Sequence, residues 1–285
     1  LDLVDKTAIL DRVNYYNKLS HTIELPHEAQ KLADLTSQDK TSYYYDYRRI
    51  LRFFPKHKKL ASKFGDVKSV SLFPRIVKTR PIDQPNENSV LLKLNSVRHY
   101  RKITDTLNYR EKKGLLVWRG KVKQDHRQII FNEFFHHPLC DIGKTNHYNG
   151  DPNQQWNKPR LSIQEQLQYK FILSIEGNEV ATNLKWAMSS NSLCIMPKPI
   201  YETWFMEGLL EAGVHYVEIK RDFSDLEEKM DFYLGNPSEA EEIILNAHKH
   251  VARFQNKKLE DLLCLKVLER FAELSGQKQA IKFSL

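Results

Sequence analysis

Cysteine is scarce, with only Cys140, Cys194 and Cys264 among 285 residues. An odd number of widely spaced cysteines excludes a disulfide framework, and the apolar surroundings of Cys194 and Cys264 predict buried free thiols in a reducing compartment. No run approaches the roughly 18 to 20 apolar residues of a membrane-spanning helix. G-x-G-x-x-G, G-x-x-x-x-G-K-[ST] and G-x-S-x-G are all absent, which leaves a dinucleotide fingerprint, a P-loop kinase or ATPase and a serine hydrolase without support. D-x-D is absent too, so the closely spaced carboxylates that usually hold Mg²⁺ or Mn²⁺ are missing and no metal is expected. There are no internal repeats and no low-complexity segments. Acidic residues are the scarcer charge, 36 against 44 Lys and Arg, for a formal net charge of +8. That balance points to anionic partners. With no zinc finger, basic recognition helix or RNP motif, nucleic acid rests on bulk charge alone and is not expected. The chain begins at Leu1 rather than Met, so a few native residues are expected to precede it, and no signal peptide is read in it.

What is present is organised around residues 169–219. Phe171 to Ile175 is a short apolar run suited to a strand buried on both faces of a parallel sheet. Val180 to Ser190 places Val180, Leu184, Ala187 and Met188 on one helical stripe, and Ser192 to Met196 reads as a second strand closed by Pro197 and Pro199. Tyr201 to Ala212 reads as a helix capped by Gly213, and Val214 to Ile219 as a third strand. This βαβαβ order predicts an α/β fold with a ligand crevice at the carboxyl ends of the strands. The turn Glu176-Gly177-Asn178-Glu179-Val180-Ala181-Thr182-Asn183 is small and polar, with Lys185 one turn further on. Backbone N–H groups, a helix dipole and a full charge together outline a phosphate site. An ordinary capped strand-to-helix turn is the other reading of the same residues.

The run YKFILSIEGNEVATNLKWAMSSNSLCIMP, followed by a Trp-containing segment and VHYVEIKRDFSDLEEKM, resembles the C-terminal half of glycosyltransferase family 90. That family includes bacterial lipopolysaccharide core transferases of the LpsA type and the eukaryotic protein O-glucosyltransferases. The resemblance extends from about Phe64 through Val251 and is nearer the bacterial branch. It implies a GT-B fold, in which two Rossmann-like domains face a central cleft and a C-terminal helix crosses back to the first, with a nucleotide-activated sugar as donor. Leu115-Leu116-Val117-Trp118-Arg119-Gly120-Lys121 resembles the aromatic-Arg-Gly strand that opens the family's donor domain, with a helix from Gln124 to Phe135 after it. The domains expected are therefore 1–111 on the acceptor side, 112–255 for the nucleotide sugar, and a C-terminal helix in 256–285.

The resemblance makes Arg119, Gly120, Lys121 and Arg127 candidates for the donor diphosphate, beside Glu176, Gly177, Asn178, Val180, Ala181, Thr182, Asn183 and Lys185. Asn183 stands where the eukaryotic branch has arginine, so that contact does not carry over. Residues 78–82 and 88–95 resemble the bacterial family's central segment and are expected to line the cleft, with Lys78, Arg80 and Lys93, joined by Arg98 and Arg101, as acceptor-side cations. In the family the catalytic base is an aspartate at the end of an N-terminal-domain strand. Asp66, after Gly65, is the matching position, with Asp46 and Asp83 as fallback carboxylates. A turn aspartate bonding its own backbone is the alternative for Asp66.

Elsewhere, residues 1–36 read as helix, and Val67, Val70 and Leu72 as strand-like. Tyr43 to Lys59 interleaves aromatics with cations. It reads either as a surface for membrane headgroups or a phosphorylated acceptor, or as a core helix using Tyr44, Tyr47, Leu51 and Phe54. Ser162/Glu165, Ser224/Glu227 and Ser238/Glu241 read as capping boxes, and Leu259 to Leu274 as a final amphipathic helix. The function expected is transfer of a hexose, glucose or galactose, from a UDP-sugar to a lipopolysaccharide or lipid-linked core acceptor. The enzyme is expected to be metal-independent and inverting, cytoplasmic, and peripheral at the anionic inner face of the bacterial inner membrane. Another glycan or protein acceptor, or a noncatalytic anionic-glycan or nucleic-acid binder, is the alternative.

Overall fold

A computed structural model describes residues 6–36 and 41–277. The chain forms two compact units, one from 1–98, 200–208 and 254–285, the other from 99–199 and 209–253.

In the first unit, α1 (Lys6–Tyr16) packs against the long helix α9 (Lys257–Leu274). β1 (Gln30–Lys31) pairs antiparallel with β2 (Lys59–Leu60), and α2 (Thr41–Leu51) lies between them in sequence. β3 (Ser62–Lys63) and β4 (Arg75–Val77) run parallel. β5 (Thr79–Pro81) follows almost at once, and β6 (Ser89–Leu91) returns parallel to the other edge of β4. β11 (Tyr201–Thr203) pairs antiparallel with β5, placing Glu202 opposite Arg80. The interior is aromatic and charged together. Trp204 stacks on Tyr16 with ring centroids 3.7 Å apart, and its indole Nε1 donates to Glu260 at 2.6 Å. Glu260 also pairs with Arg12 at 2.8 Å and Lys93 at 3.0 Å, so this buried carboxylate is offset by two cations.

α3 (Ser96–His99) carries the chain into the second unit, which is a Rossmann-like α/β layer. β7 (Lys113–Gly120), β8 (Cys140–Lys144), β9 (Tyr169–Leu173), β10 (Leu193–Pro197) and β12 (Val217–Ile219) form one parallel sheet in the order β12-β10-β9-β7-β8. The connections carry α4 (Asp125–Phe134), α5 (Ile163–Gln166) and α6 (Leu184–Ala187), and α7 (Leu226–Gly235) and α8 (Pro237–Ala252) follow β12. Its core joins Leu116, Phe171, Leu173, Leu193, Ile195, Val217 and Ile219 from the strands with Ile130, Met230 and Ile243 from the helices. Strands buried on both faces need continuous apolar runs, which is why β9 and β10 are plain in the sequence. The chain lays β8 on one side of β7 and then crosses to lay β9 on the other. The topological switch point therefore falls between β7 and β9, where ligands of open α/β sheets bind.

Several local expectations are corrected. The helix read over Val180 to Ser190 shrinks to the four residues of α6. Asn183 donates Nδ2–H to the carbonyl of Leu173 at 2.8 Å and accepts from Ser174 Oγ at 3.2 Å, and this tie to the end of β9 holds the preceding residues as a turn. Tyr201 to Ala212 is not a helix but β11, a tight turn and a 3-10 turn at Glu207–Leu209. Sheet pairing with β5 and the bonds of Thr203 N and Oγ1 to the Glu207 carboxylate override the helical periodicity. Among the described residues 6–36, helix is confined to α1 apart from the 3-10 turn Leu32–Asp34, and residues 64–74 form a loop in which Leu72 is exposed. Of the three capping boxes only Ser162/Glu165 forms. α7 and α8 start instead after Asp225 and Asn236, and Ser238 and Glu241 both receive Arg110. All three cysteines are free and buried, and burial pushes each thiol up to about 12.

Candidate functional site

Two turns meet at the switch point, one after β7 and one after β9, and Arg127 from the first turn of α4 binds them together. Its Nε donates to the carbonyl of Glu176 at 3.0 Å, Nη2 to that of Ile175 at 2.7 Å and Nη1 to that of Lys121 at 2.8 Å. Its guanidinium carbon lies 5.3 Å from the Trp118 ring centroid, and burial lowers its pKa to about 10, leaving it charged at neutral pH. His126 Nε2 meets the same Glu176 carbonyl at 2.7 Å, and Gln124 Nε2 donates to Asn178 Oδ1 at 3.0 Å. The turn after β9 is thus fixed by three side chains at the N-terminal end of α4, those of the N-cap Gln124 and of His126 and Arg127. Gly177 lets Arg127 approach, since a Cβ there would stand 3.1 Å from Nη2. The diphosphate candidate Arg127 is therefore spent on holding the two turns together, while Lys121 is exposed on the first of them.

The other donor candidates divide in the same way. Arg119 turns back along the sheet, donating to the carbonyls of Pro159 at 3.0 Å and Asp141 at 2.7 Å and to Asp141 Oδ1 at 2.8 Å. Asp141 also accepts from Lys158 at 2.9 Å and Tyr169 at 2.7 Å. Its partial burial alone would raise its pKa, but these three donors outweigh that and hold it at about 2. Gly120 is required by packing, because a Cβ would fall 2.4 Å from the Trp118 ring. Glu176 and Gly177 are half-buried, Asn178 is exposed, Val180 and Ala181 are buried, and Thr182 and Asn183 are half-buried. Lys185 is buried, with Nζ 5.7 Å from the Tyr100 ring centroid. With α6 only one turn long, no helix dipole of consequence accompanies it. Sequence reading missed the buried Lys144–Asp151 pair, which pins the loop after β8, and also missed His126 and Gln124. A lysine closing a strand, followed seven residues on by an aspartate after the Asn149-Gly150 turn, was the available signal for the pair.

In the first unit, the carboxyl ends of the three parallel strands β3, β4 and β6 carry Asp66, Lys78 and Lys93 in turn. Asp66 Oδ1 lies 3.8 Å from Lys78 Nζ. Lys93 reaches inward to Glu260 and to the Phe254 carbonyl at 3.4 Å. Arg80 has no exposed area. Its Nε pairs with Glu202 at 2.7 Å, while Nη1 and Nη2 bond the carbonyls of Tyr16, Ser89 and Tyr15. Asp46 accepts from both Ser96 N and Ser96 Oγ at 2.7 Å and so caps α3, whereas Asp83 is exposed on the loop after β5. In α2, Tyr43, Tyr47, Ile50, Leu51 and the following Phe54 are core, so the stretch from Tyr43 to Lys59 does supply a buried helix stripe. The opposite face leaves Tyr45, Arg48, Arg52, Phe53 and Lys56 exposed.

Comparison with known proteins bears on this arrangement. The family model for glycosyl transferase family 90 matches residues 91–283. The chain is 46% identical over 269 residues to O-glucosyltransferase LpsA of Dichelobacter nodosus, covering 94% of this chain and 84% of that protein. It is 27% identical over 177 residues to protein O-glucosyltransferase 3 of Homo sapiens, covering 58% of this chain and 33% of that one. Protein O-glucosyltransferase 2 of Danio rerio is 24% identical over 171 residues, 58% of this chain and 34% of its own.

Proposed function

The chain belongs to glycosyltransferase family 90 and is a glycosyltransferase, and from that premise we propose that it transfers glucose from UDP-glucose to a sugar of the lipopolysaccharide core. The similarity to an O-glucosyltransferase along nearly the whole chain carries this reading and favours glucose over galactose. A GT-B plan and an inverting reaction belong to the same proposal. The donor diphosphate is assigned to the switch-point turns, with Lys121, Gly177 and Asn178 at the rim and Arg127 holding the turns in register. Lys185 and the turn from Val180 to Asn183 complete the donor side, while Arg119, spent on Asp141 and the Pro159 carbonyl, supports the strand end from within the sheet. Stabilising the departing diphosphate then falls to these cations and backbone N–H groups, which supports metal-independent catalysis in a chain without D-x-D. Asp66 is assigned as the base that takes the acceptor hydroxyl proton, and such a base contributes on the order of 10²- to 10⁴-fold in rate. Attachment to an anionic membrane surface, consistent with a chain whose described residues include no helix long and apolar enough to span one, is assigned to the exposed face of α2.

Calorimetric titration with UDP tests the donor assignment. Lys121→Ala and Lys185→Ala are each expected to weaken binding, and unchanged affinity in both removes it. Protection against thermal unfolding identifies the sugar, since a ligand at about 100 times Kd adds about 2.7 kcal/mol. UDP-glucose is expected to protect more than UDP-galactose or UDP-xylose.

A further inference from the structure

Lys78 was read from the sequence as an acceptor-side cation, yet its side chain is only 2% exposed and cannot present itself to an incoming sugar. It directly follows β4, the middle strand of the small parallel sheet, and its Nζ lies 5.6 Å from the centroid of the buried Tyr43 ring. Asp66, three residues beyond the neighbouring strand β3, forms an ion pair with it and has a side chain 38% exposed. The pair thus has an inside and an outside, an enclosed ammonium behind a carboxylate that reaches solvent. Arg80, two residues further, shows a different use of an enclosed cation. Its partner Glu202 is itself buried, and the guanidinium is spent on three carbonyls of the scaffold.

We propose that Lys78 is a positioning residue, which from behind the sheet edge aims the Asp66 carboxylate outward and keeps it in the anionic form that accepts a proton. This rests on the reading of Asp66 as the base. In the step served, the acceptor hydroxyl gives its proton to Asp66 as its oxygen bonds to C1 of glucose. The C1–O bond to UDP breaks, and UDP leaves with the electron pair. An opposite charge within about 4 to 6 Å favours the charged form of a carboxyl group. Titratable groups near the pair include Tyr43 from α2, whose ring faces Lys78, and the exposed Lys68 two residues along the Asp66 loop.

The experiment measures UDP release from UDP-glucose with deacylated lipopolysaccharide core oligosaccharide as acceptor, across pH, for the wild type, Lys78→Met, Lys78→Arg and Asp66→Asn. UDP affinity and thermal unfolding are measured on each. Lys78→Met is expected to keep UDP affinity while its acid limb moves up by about one pH unit, with a loss of about tenfold in kcat below that limb. Lys78→Arg, which keeps the charge, is expected to hold the limb near its wild-type position. A native acid limb and native kcat in Lys78→Met overturn the positioning role. If that variant does not fold, Lys78→Gln makes the same comparison with a neutral polar side chain. Near-native turnover in Asp66→Asn overturns the base reading itself, an outcome distinct from a silent Lys78 substitution in an enzyme that still needs Asp66.

Discussion

Asp141 shows how a single carboxylate fixes one edge of the five-stranded sheet. Arg119, Lys158 and Tyr169 converge on it from β7, the loop after β8 and β9. Its folded-state pKa lies below the unfolded value of about 3.9. The stability it contributes is therefore complete above that value and is lost as the pH falls through about 2. Asp141→Asn is expected to cost on the order of 1 to 2 kcal/mol near neutral pH, with the gap from wild type closing in acid. Denaturant midpoints at several pH values check this, and a gap that stays constant contradicts it. The identities of the charged residues were legible in the sequence, but their directions were not. Arg119 and Arg127 look alike on paper as phosphate ligands. One is consumed by Asp141 and the other by three backbone carbonyls, because unpaired carbonyls at strand ends compete with any ligand for a buried guanidinium.

Among the elements, β9 and β10 were legible because a strand buried on both faces leaves only apolar residues to read. The segment from Tyr201 to Gly208 was not, since its conformation is set by partners distant in sequence, Arg80 opposite Glu202 and Tyr16 beneath Trp204. The strand-to-turn junction at Gly120 gives a direct test of packing. Gly120→Ala drives a Cβ to within 2.4 Å of the rigid Trp118 ring and is expected to cost about 1 to 3 kcal/mol in unfolding experiments. A neutral result contradicts the close approach. In α2 the core stripe is buried, with Tyr43 and Ile50 in it and Tyr44 only half-buried, and just after the helix Arg52 sits 4.7 Å from the ring centroid of the exposed Phe53. The full chain is expected to bind phosphatidylglycerol vesicles in low salt and to release them as salt shortens the Debye length below about 10 Å. Tyr45→Ser combined with Phe53→Ser, and Arg48→Glu combined with Arg52→Glu, are both expected to reduce binding. Salt-insensitive or absent binding removes the membrane assignment.

At the scale of the whole molecule, the basic balance of the chain and its missing D-x-D converge on one expectation, that cations rather than a divalent metal meet the leaving diphosphate. Activity is expected to survive excess EDTA, and a strict requirement for Mn²⁺ or Mg²⁺ contradicts this. The parallel sheet could be read from its apolar strand runs, whereas the acceptor could not, because acceptor contacts come from loops whose course no periodicity records. The central claim, that this glycosyltransferase moves glucose onto a lipopolysaccharide core sugar with Asp66 as base, is tested most directly by mass spectrometry of core oligosaccharide incubated with UDP-glucose and either the wild type or Asp66→Asn. The account predicts addition of one hexose by the wild type and none by a variant that folds and binds UDP normally. An unmodified acceptor with the wild type, or an equally modified one with Asp66→Asn, contradicts it.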